Sequence, residues 1–382
     1  MTRVAVNPQL LSWALQRSGR AAAVQDKFPH LHEWLQGVSA PTLRQLEEFA
    51  RATATPFGYF FLEQPPEESL PIPHFRTLAG QAPRRASPDL LETVYSLQRR
   101  QAWLREYRES EGEEPLNFVR SARAQDAPQA VAARMREALG LQPDWAQRLP
   151  TWTDALGELR GRMEDRGITV VVSGIVANNT HRKLDPAEFR GFVLVDEYAP
   201  FVFVNGADGK AAQMFTLAHE LAHLWLGSSA AFDLRNLEPA EDATEQACNR
   251  IAAEFLVAKE LLRQAWPSVW REAETFQALA RRFKVSELVV ARRALDLRLI
   301  SRDAFFEFYE AYSQGERRQA SRETEGGNFY AMQTLRLGRR FAETLVRATR
   351  EGKVSYKEAY RLTGLYGRTF ERYAEALRLR RA

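Results

Sequence analysis

Three side chains within five residues have the types and spacing to hold a metal ion and activate water. They are His219, Glu220 and His223, in the run from Phe215 to Gly227, FTLAHELAHLWLG. Residues four apart on a helix share one face, so the two imidazoles can grip one cation with Glu220 beside it. A catalytic zinc ion takes three protein ligands and keeps one position for water. His219 and His223 supply two of them. Glu220 is placed to act as general base on the water and is not expected as a ligand. The spacing is that of a zinc metallopeptidase, and the expected cofactor is Zn2+.

The third ligand must come from elsewhere. The six histidines are His30, His32, His74, His181, His219 and His223. None follows the motif, which excludes a third histidine after the active-site helix. A downstream carboxylate is the best remaining choice. Glu245 leads, with Glu241 second and Glu254 third. Glu245 lies one helical turn before Asn249, so the two share a face. An asparagine there can hydrogen-bond the free nitrogen of a metal-bound imidazole. The group that would stabilise an oxyanion is not singled out. His181, Tyr198 and Asn205 are polar and flank the predicted strands.

The elements that must position these residues are legible from pattern. After Gly167 the period changes from helical to extended. Ile168–Val172, Gly191–Val195 and Phe201–Val204 are short apolar runs rich in β-branched and aromatic residues, read as strands. The His219–His223 helix follows, and a helix over Ala240–Leu262 carries Ala243, Ala247, Ile251, Ala252, Phe255 and Leu256 as its apolar stripe. Strands followed by an active-site helix resemble the zincin class. Upstream, Leu90–Glu109, Ala127–Leu139 and Asp154–Arg166 read as helices, the last two stopped by Gly140 and Gly167. Downstream, Phe276–Leu299 reads as a helix pair broken at Val285-Ser286, with Ser286 as N-cap and Arg292-Arg293 on the second helix. Leu335–Arg350 and Ser355–Leu379 are terminal helices. The expected fold class is α+β, predominantly helical, with a zincin-like core and a small sheet flanked by helical N- and C-terminal domains.

The N-terminal segment is a compact helical unit. Asn7 caps a helix that starts at Pro8, short helices fit Ala21–Phe28 and His30–Gln36, and a fourth opens at Pro41 with Leu43, Leu46, Phe49 and Ala50 at helical spacing. The turn at Trp34 and Gly37 and the Pro41-Thr-Leu-x-Gln-Leu46 run resemble Xre-type helix-turn-helix domains, in which one helix enters the major groove. Its candidate recognition segment, Phe28–Gln36, holds no arginine or lysine. The expected domains are 1–62 helix-turn-helix-like, 63–87 linker, 88–164 helical connection, 165–262 metallopeptidase core, 263–312 a second helix-turn-helix-like region, and 313–382 a basic helical region, whose stretch 313–328 is polar and poor in apolar residues.

Composition bounds the partners and the compartment. The formal net charge is +4. From Gly315 to the end there are 16 Lys+Arg against 8 Asp+Glu. A basic tail beside an acidic middle points to nucleic acid or an acidic partner. One cysteine, Cys248, excludes an internal disulfide. No secretory signal is evident, and no apolar run approaches the roughly 20 residues of a membrane span. A cytoplasmic location without membrane contact is expected.

With these residues in hand, the chain resembles the ImmA/IrrE family of metallopeptidases. The resemblance rests on Asn178–Arg182, Glu188–Phe192, Ala199–Asn205, Met214–His223 and Glu245–Phe255. Glu245 matches the family position of the third ligand. Cys248 stands where alanine is usual, and His74, in Pro71–Thr77, where aspartate is common. The resemblance implies a cytoplasmic zinc endopeptidase of narrow specificity that cleaves, or relieves, a helix-turn-helix repressor of a mobile element, phage or stress regulon. A second expectation is a DNA-binding regulator, or a toxin–antitoxin component, whose peptidase domain serves as sensor or partner module.

Overall fold

The structure is a computed structural model that describes residues 3–68, 70, 86–228, 231–232, 243–270, 274–319 and 328–379. The contacts divide the chain into two compact units, the first ending at Ser96 and the second beginning at Leu97. His74, Glu241 and most of the expected linker lie outside the described residues.

The first unit contains α1 (Pro8–Ser18), α2 (Ala21–Lys27), α3 (Leu31–Leu35) and α4 (Leu43–Ala52), followed by a 3-10 turn over Phe57–Phe61. Asn7 accepts a hydrogen bond from the Gln9 amide, and Gly19 ends α1 in the left-handed conformation. Leu10, Leu11, Leu31, Trp34, Phe49 and Phe60 are buried in its core. Leu43, expected on the apolar stripe, is 48% exposed. The reason is local. Thr42 caps α4 in a capping box with Gln45, which makes Leu43 the first helical residue, and the stripe falls instead on Leu46, Phe49 and Ala50.

The helix α5 (Pro88–Ser110) runs across the unit boundary. The second unit continues with α6 (Pro128–Leu139) and α7 (Trp152–Asp165), then β1 (Thr169–Ser173), β2 (Gly191–Leu194) and β3 (Phe201–Asn205). Next come α8 (Lys210–Leu226), the two-residue β4 (Ala231–Phe232), α9 (Ala243–Leu256), α10 (Lys259–Val269), α11 (Thr275–Phe283), α12 (Glu287–Asp296) and α13 (Arg302–Gln319). The last helices are α14 (Phe329–Leu337), α15 (Arg339–Arg350), α16 (Tyr356–Thr363) and α17 (Arg368–Leu379). The fold is a predominantly helical α+β arrangement around one small sheet.

The sheet order is β1-β3-β2-β4. β1 runs parallel to β3, and β2 runs antiparallel to both β3 and β4. Strand side chains alternate between faces, and here both faces are covered. Val170, Val193, Val202 and Val204 join Leu217, Leu221 and Trp225 of α8 in the main core. On the other face Phe192 stacks on Phe203, with ring centroids 4.9 Å apart, and Phe201 meets Phe341 of α15 at 5.8 Å. Continuous apolar strands follow from this double burial.

The helix expected over Ala240–Leu262 is two helices. α9 stops at Leu256 and α10 starts at Lys259, where the Lys259 amide donates to Glu254 Oε1. Carbonyls at the end of α9 would lack intrahelical donors. Arginines supply them: Arg136 donates to the carbonyls of Glu254 and Phe255, and Arg293 to that of Val257. The α11–α12 pair forms as expected, with Ser286 accepting from the Val289 amide.

The terminal helices are fastened to this core. The Arg339 amide donates to buried Glu164 at the end of α7 (2.7 Å), and Arg340 donates to the carbonyls of Glu164 and Asp165. Arg100 of α5 is buried and donates to the carbonyls of Leu362 and Arg336, at 2.9 and 3.0 Å. Both lie near helix C-termini, whose partial negative charge suits a guanidinium. Burial lowers the Arg100 pKa to about 10, so the group stays charged at neutral pH. Part of the C-terminal basic excess is therefore spent on internal docking.

Candidate metal centre

The helix α8 starts after Gly209 and ends at Gly227, which adopts φ +76°. Its C-terminal carbonyls are covered by an incoming loop: the amides of Arg120 and Ala122 donate to Leu224 and Trp225. At its start, buried Gln213 donates to the carbonyls of Gly206 and Asp208 and ties the helix to the end of β3. The helix is thus held at both ends and buried along most of its length. His219, Glu220 and His223 are all fully buried.

Side chains at 219 and 223 project toward α9, which packs along α8. Nε2 of His219 and Nε2 of His223 lie 3.0 Å apart. Glu245 of α9 meets both, with Oε2 3.2 Å from His219 Nε2 and Oε1 3.1 Å from His223 Nε2. One ligand atom from each residue falls within 4.8 Å of the others. A tetrahedral ion with ligands at about 2.0–2.1 Å spaces them about 3.3 Å apart. The observed spacing and the donor set both fit such an ion. The buried His-His-Glu cluster is compatible with a metal site.

The electrostatics agree with that fit. Burial drives the His219 pKa down to about 4, against the opposing pull of Glu245 and, more weakly, of Asn249. The ring is therefore neutral at physiological pH, as a metal ligand must be. Burial also acts on Glu245, but the hydrogen bonds and charges of His219 and His223 outweigh it and hold its carboxyl below the ordinary value. Glu220 is pushed well above the ordinary value, first by burial and then by the charge of Glu245. Both Glu220 oxygens are buried without a hydrogen-bond partner. An unsatisfied buried carboxyl is costly, and a cation or water beside it would remove that cost.

Other predicted residues fall elsewhere. Glu254 faces away from the cluster into a buried ion pair with Arg293, which corrects its place among the third-ligand candidates. That pair also occupies Arg293, one of the two arginines expected on the second helix of the 276–299 pair. Asn205 is buried and donates to the Phe189 carbonyl, while its own oxygen accepts from the Ala207 amide. It organises the turn before α8. The Tyr198 ring lies under the Arg105 guanidinium. His181 is exposed in the turn between Ile175 and Lys183, its amide bonded to Asn179.

Two neighbours escape pattern reading. Gly191 opens β2 directly against α8, where a Cβ would come within 2.5 Å of Thr216 Cγ2 and 3.2 Å of Glu220 Oε1. A glycine inside an otherwise bulky strand is the signal for such an approach. Thr216, one turn before Glu220, keeps its hydroxyl buried without a partner; an isolated threonine on a helix gives no warning of this.

Comparison with known families places the cluster in context. No curated protein matches the chain. Residues 337–376, spanning α15 and α16 and most of α17, match a domain of unknown function (DUF8813). Residues 163–295, from the end of α7 to α12 and including all three cluster residues and Glu220, match the IrrE N-terminal-like domain of the Peptidase_M78 family, which supports a metallopeptidase of the IrrE/ImmA type.

Proposed function

We propose that the chain is a zinc-dependent endopeptidase of narrow specificity, with a helix-turn-helix repressor as its substrate. The observation that carries the peptidase reading is the convergence of His219, His223 and Glu245 beside a buried carboxyl that has no other partner. In this reading His219, His223 and Glu245 hold the ion. When bound, the ion lowers the pKa of water and polarises the scissile carbonyl. Glu220 takes the proton of the attacking water and returns it to the leaving amine. Its raised proton affinity suits a group that must both take and give a proton. Asn249, one helical turn after Glu245 on α9, would accept from the free nitrogen of His219 and orient the ring. The enclosing helices exclude bulk water and so strengthen each of these interactions.

The repressor substrate, the stress, phage or mobile-element setting and the cytoplasmic location rest on the resemblance to ImmA/IrrE proteins. The N-terminal unit, read as Xre-like, is proposed as the module that meets that partner. Among the described residues no helix is long and apolar enough to cross a membrane. The test is to incubate wild type and Glu220→Gln, each assayed for zinc, with any repressor encoded beside the gene. Wild type should cut it, and Glu220→Gln should keep its metal and lose about 10²–10⁴-fold in rate. Cleavage undiminished in Glu220→Gln would sink the mechanism, and an intact repressor with zinc-loaded wild type would sink the substrate.

A further inference from the structure

We infer that α15–α17 form a helix-turn-helix unit that binds double-stranded DNA, with α17 as the helix that enters the major groove. The inference is independent of the peptidase reading. α16 and α17 are joined by four residues, Gly364–Gly367. Both glycines have positive φ, +68° and +48°. A short glycine-containing turn between two helices is the hallmark of this motif. α15 packs against both helices as the third member. Leu345, Ala359, Leu362, Phe370, Tyr373 and Leu377 of these helices are buried. Phe370 pins the pair together, with its ring 5.5 Å from Tyr360 and 6.3 Å from Tyr356.

What this core leaves outside matters most. Arg368 is the first residue of α17 and Arg372 lies one turn on, on the same face. Both are exposed, as are Thr369 beside them and Lys357 on α16. Arg368, Arg372 and Lys357 make no ion pair among the described residues. A recognition helix reads base edges with its N-terminal residues, and arginine is the side chain best suited to guanine and phosphate. Tyr366, in the turn, is 68% exposed, and Tyr356, opening α16, is 52% exposed. Of the exposed carboxylates on α17, Glu371 lies in the first turn, about 100° round the helix from Arg372, and Glu375 follows on the third turn.

The two other helix pairs lack this equipment. On α12, Arg293 is buried against Glu254, and Arg292 pairs with Asp296 at 3.2 Å. The five-residue α3 holds no arginine or lysine. α17 thus opens on two exposed arginines that make no ion pair among the described residues, and the docking of Arg339 on Glu164 and of Arg100 on Leu362 fixes that helix pair to the unit that carries the His-His-Glu cluster.

The test uses full-length protein and a labelled random-sequence duplex of about 24 base pairs, with the matching single strand, over roughly 50–200 mM salt. The duplex should bind more tightly than the single strand, with affinity falling steeply as salt rises. Arg368→Ala with Arg372→Ala should weaken duplex binding at least about tenfold, and Lys357→Ala should lower the salt slope by about one. Arg368→Gln and Arg372→Gln singly should each give part of that loss at an unchanged melting temperature. Arg44→Ala with Arg51→Ala, in the first unit, should change nothing. No duplex binding at the lowest salt, a preference for the single strand, or loss through the Arg44/Arg51 pair instead of the Arg368/Arg372 pair would each overturn the assignment.

Discussion

Gly191 lies directly against Glu220: a Cβ on the strand residue would sit 3.2 Å from the carboxylate Oε1, 2.8 Å from the Phe203 carbonyl oxygen and 2.5 Å from Thr216 Cγ2. The missing side chain lets β2 and α8 close on each other and walls Glu220 in. Gly191→Ala should force the helix and the strand apart. Overpacking of this kind costs about 1–3 kcal/mol, and the displaced carboxyl should lower kcat more than it raises KM. Adding Thr216→Ser removes the methyl in the closest contact and should recover part of both losses. Thermal melts and steady-state kinetics of the single and double variants check this. A stable Gly191→Ala protein with unchanged kcat would show that the close approach has no bearing on Glu220.

Glu245 and Glu254 are both buried carboxylates on α9, and the fold gives them different tasks. Glu245→Gln should remove metal binding while leaving the metal-free fold close to wild type. Glu254→Gln should do the reverse. It leaves Arg293 buried without its counter-charge, a loss of about 3–5 kcal/mol, yet the remaining folded protein should keep its metal. Zinc content per folded molecule, read beside a denaturant melt, separates the two. Equal zinc loss in both variants would place the third ligand in doubt.

Pattern and fold part company at identifiable residues. Helix spacing alone puts His219 and His223 on one face, and the absence of a later histidine points to a carboxylate; these are short-range facts. The α9–α10 break is not short-range. Nothing between Ala240 and Leu262 breaks a helix by propensity, and the chain turns because Arg136 and Arg293, distant in sequence, capture the carbonyls of Glu254, Phe255 and Val257. The same holds for Glu254 itself, whose partner is 39 residues away. Leu43 illustrates the local limit: a cap one residue earlier decides whether an apolar side chain faces in or out. Gly191 could have been suspected, but its neighbours Thr216 and Glu220 are known only once the strand is laid on the helix.

Asn249 tests how much the ring orientation of His219 matters. It raises the proton affinity of an imidazole that burial otherwise lowers. Asn249→Ala should weaken zinc binding about 10–100-fold, the range for removing a partner of a metal-bound histidine. Asn249→Asp, which keeps an acceptor, should restore most of it. Competition with a metallochromic chelator gives the affinities. If Asn249→Ala bound zinc as tightly as wild type, the asparagine would be a packing residue without a part in metal binding.

The metal-free protein should show two opposing pH slopes in its stability, one from His219 and one from Glu220. His219 has its pKa lowered from 6.5 to about 4. The unfolded chain therefore binds the extra proton between these values, and stability falls as pH drops through that window, by on the order of 3 kcal/mol. Glu220 has its pKa raised well above 4.5. There the folded state holds the proton, so its contribution is lost as pH climbs from 4.5 through the raised value. In chelator-treated wild type the two should oppose each other above pH 4.5. Glu220→Gln removes the second slope and should leave a plain rise from about pH 4 to 6.5, followed by a plateau. Urea melts of both proteins in excess chelator across this range make the comparison. Parallel curves for wild type and Glu220→Gln would mean that Glu220 is ionised in the metal-free fold, contrary to its burial.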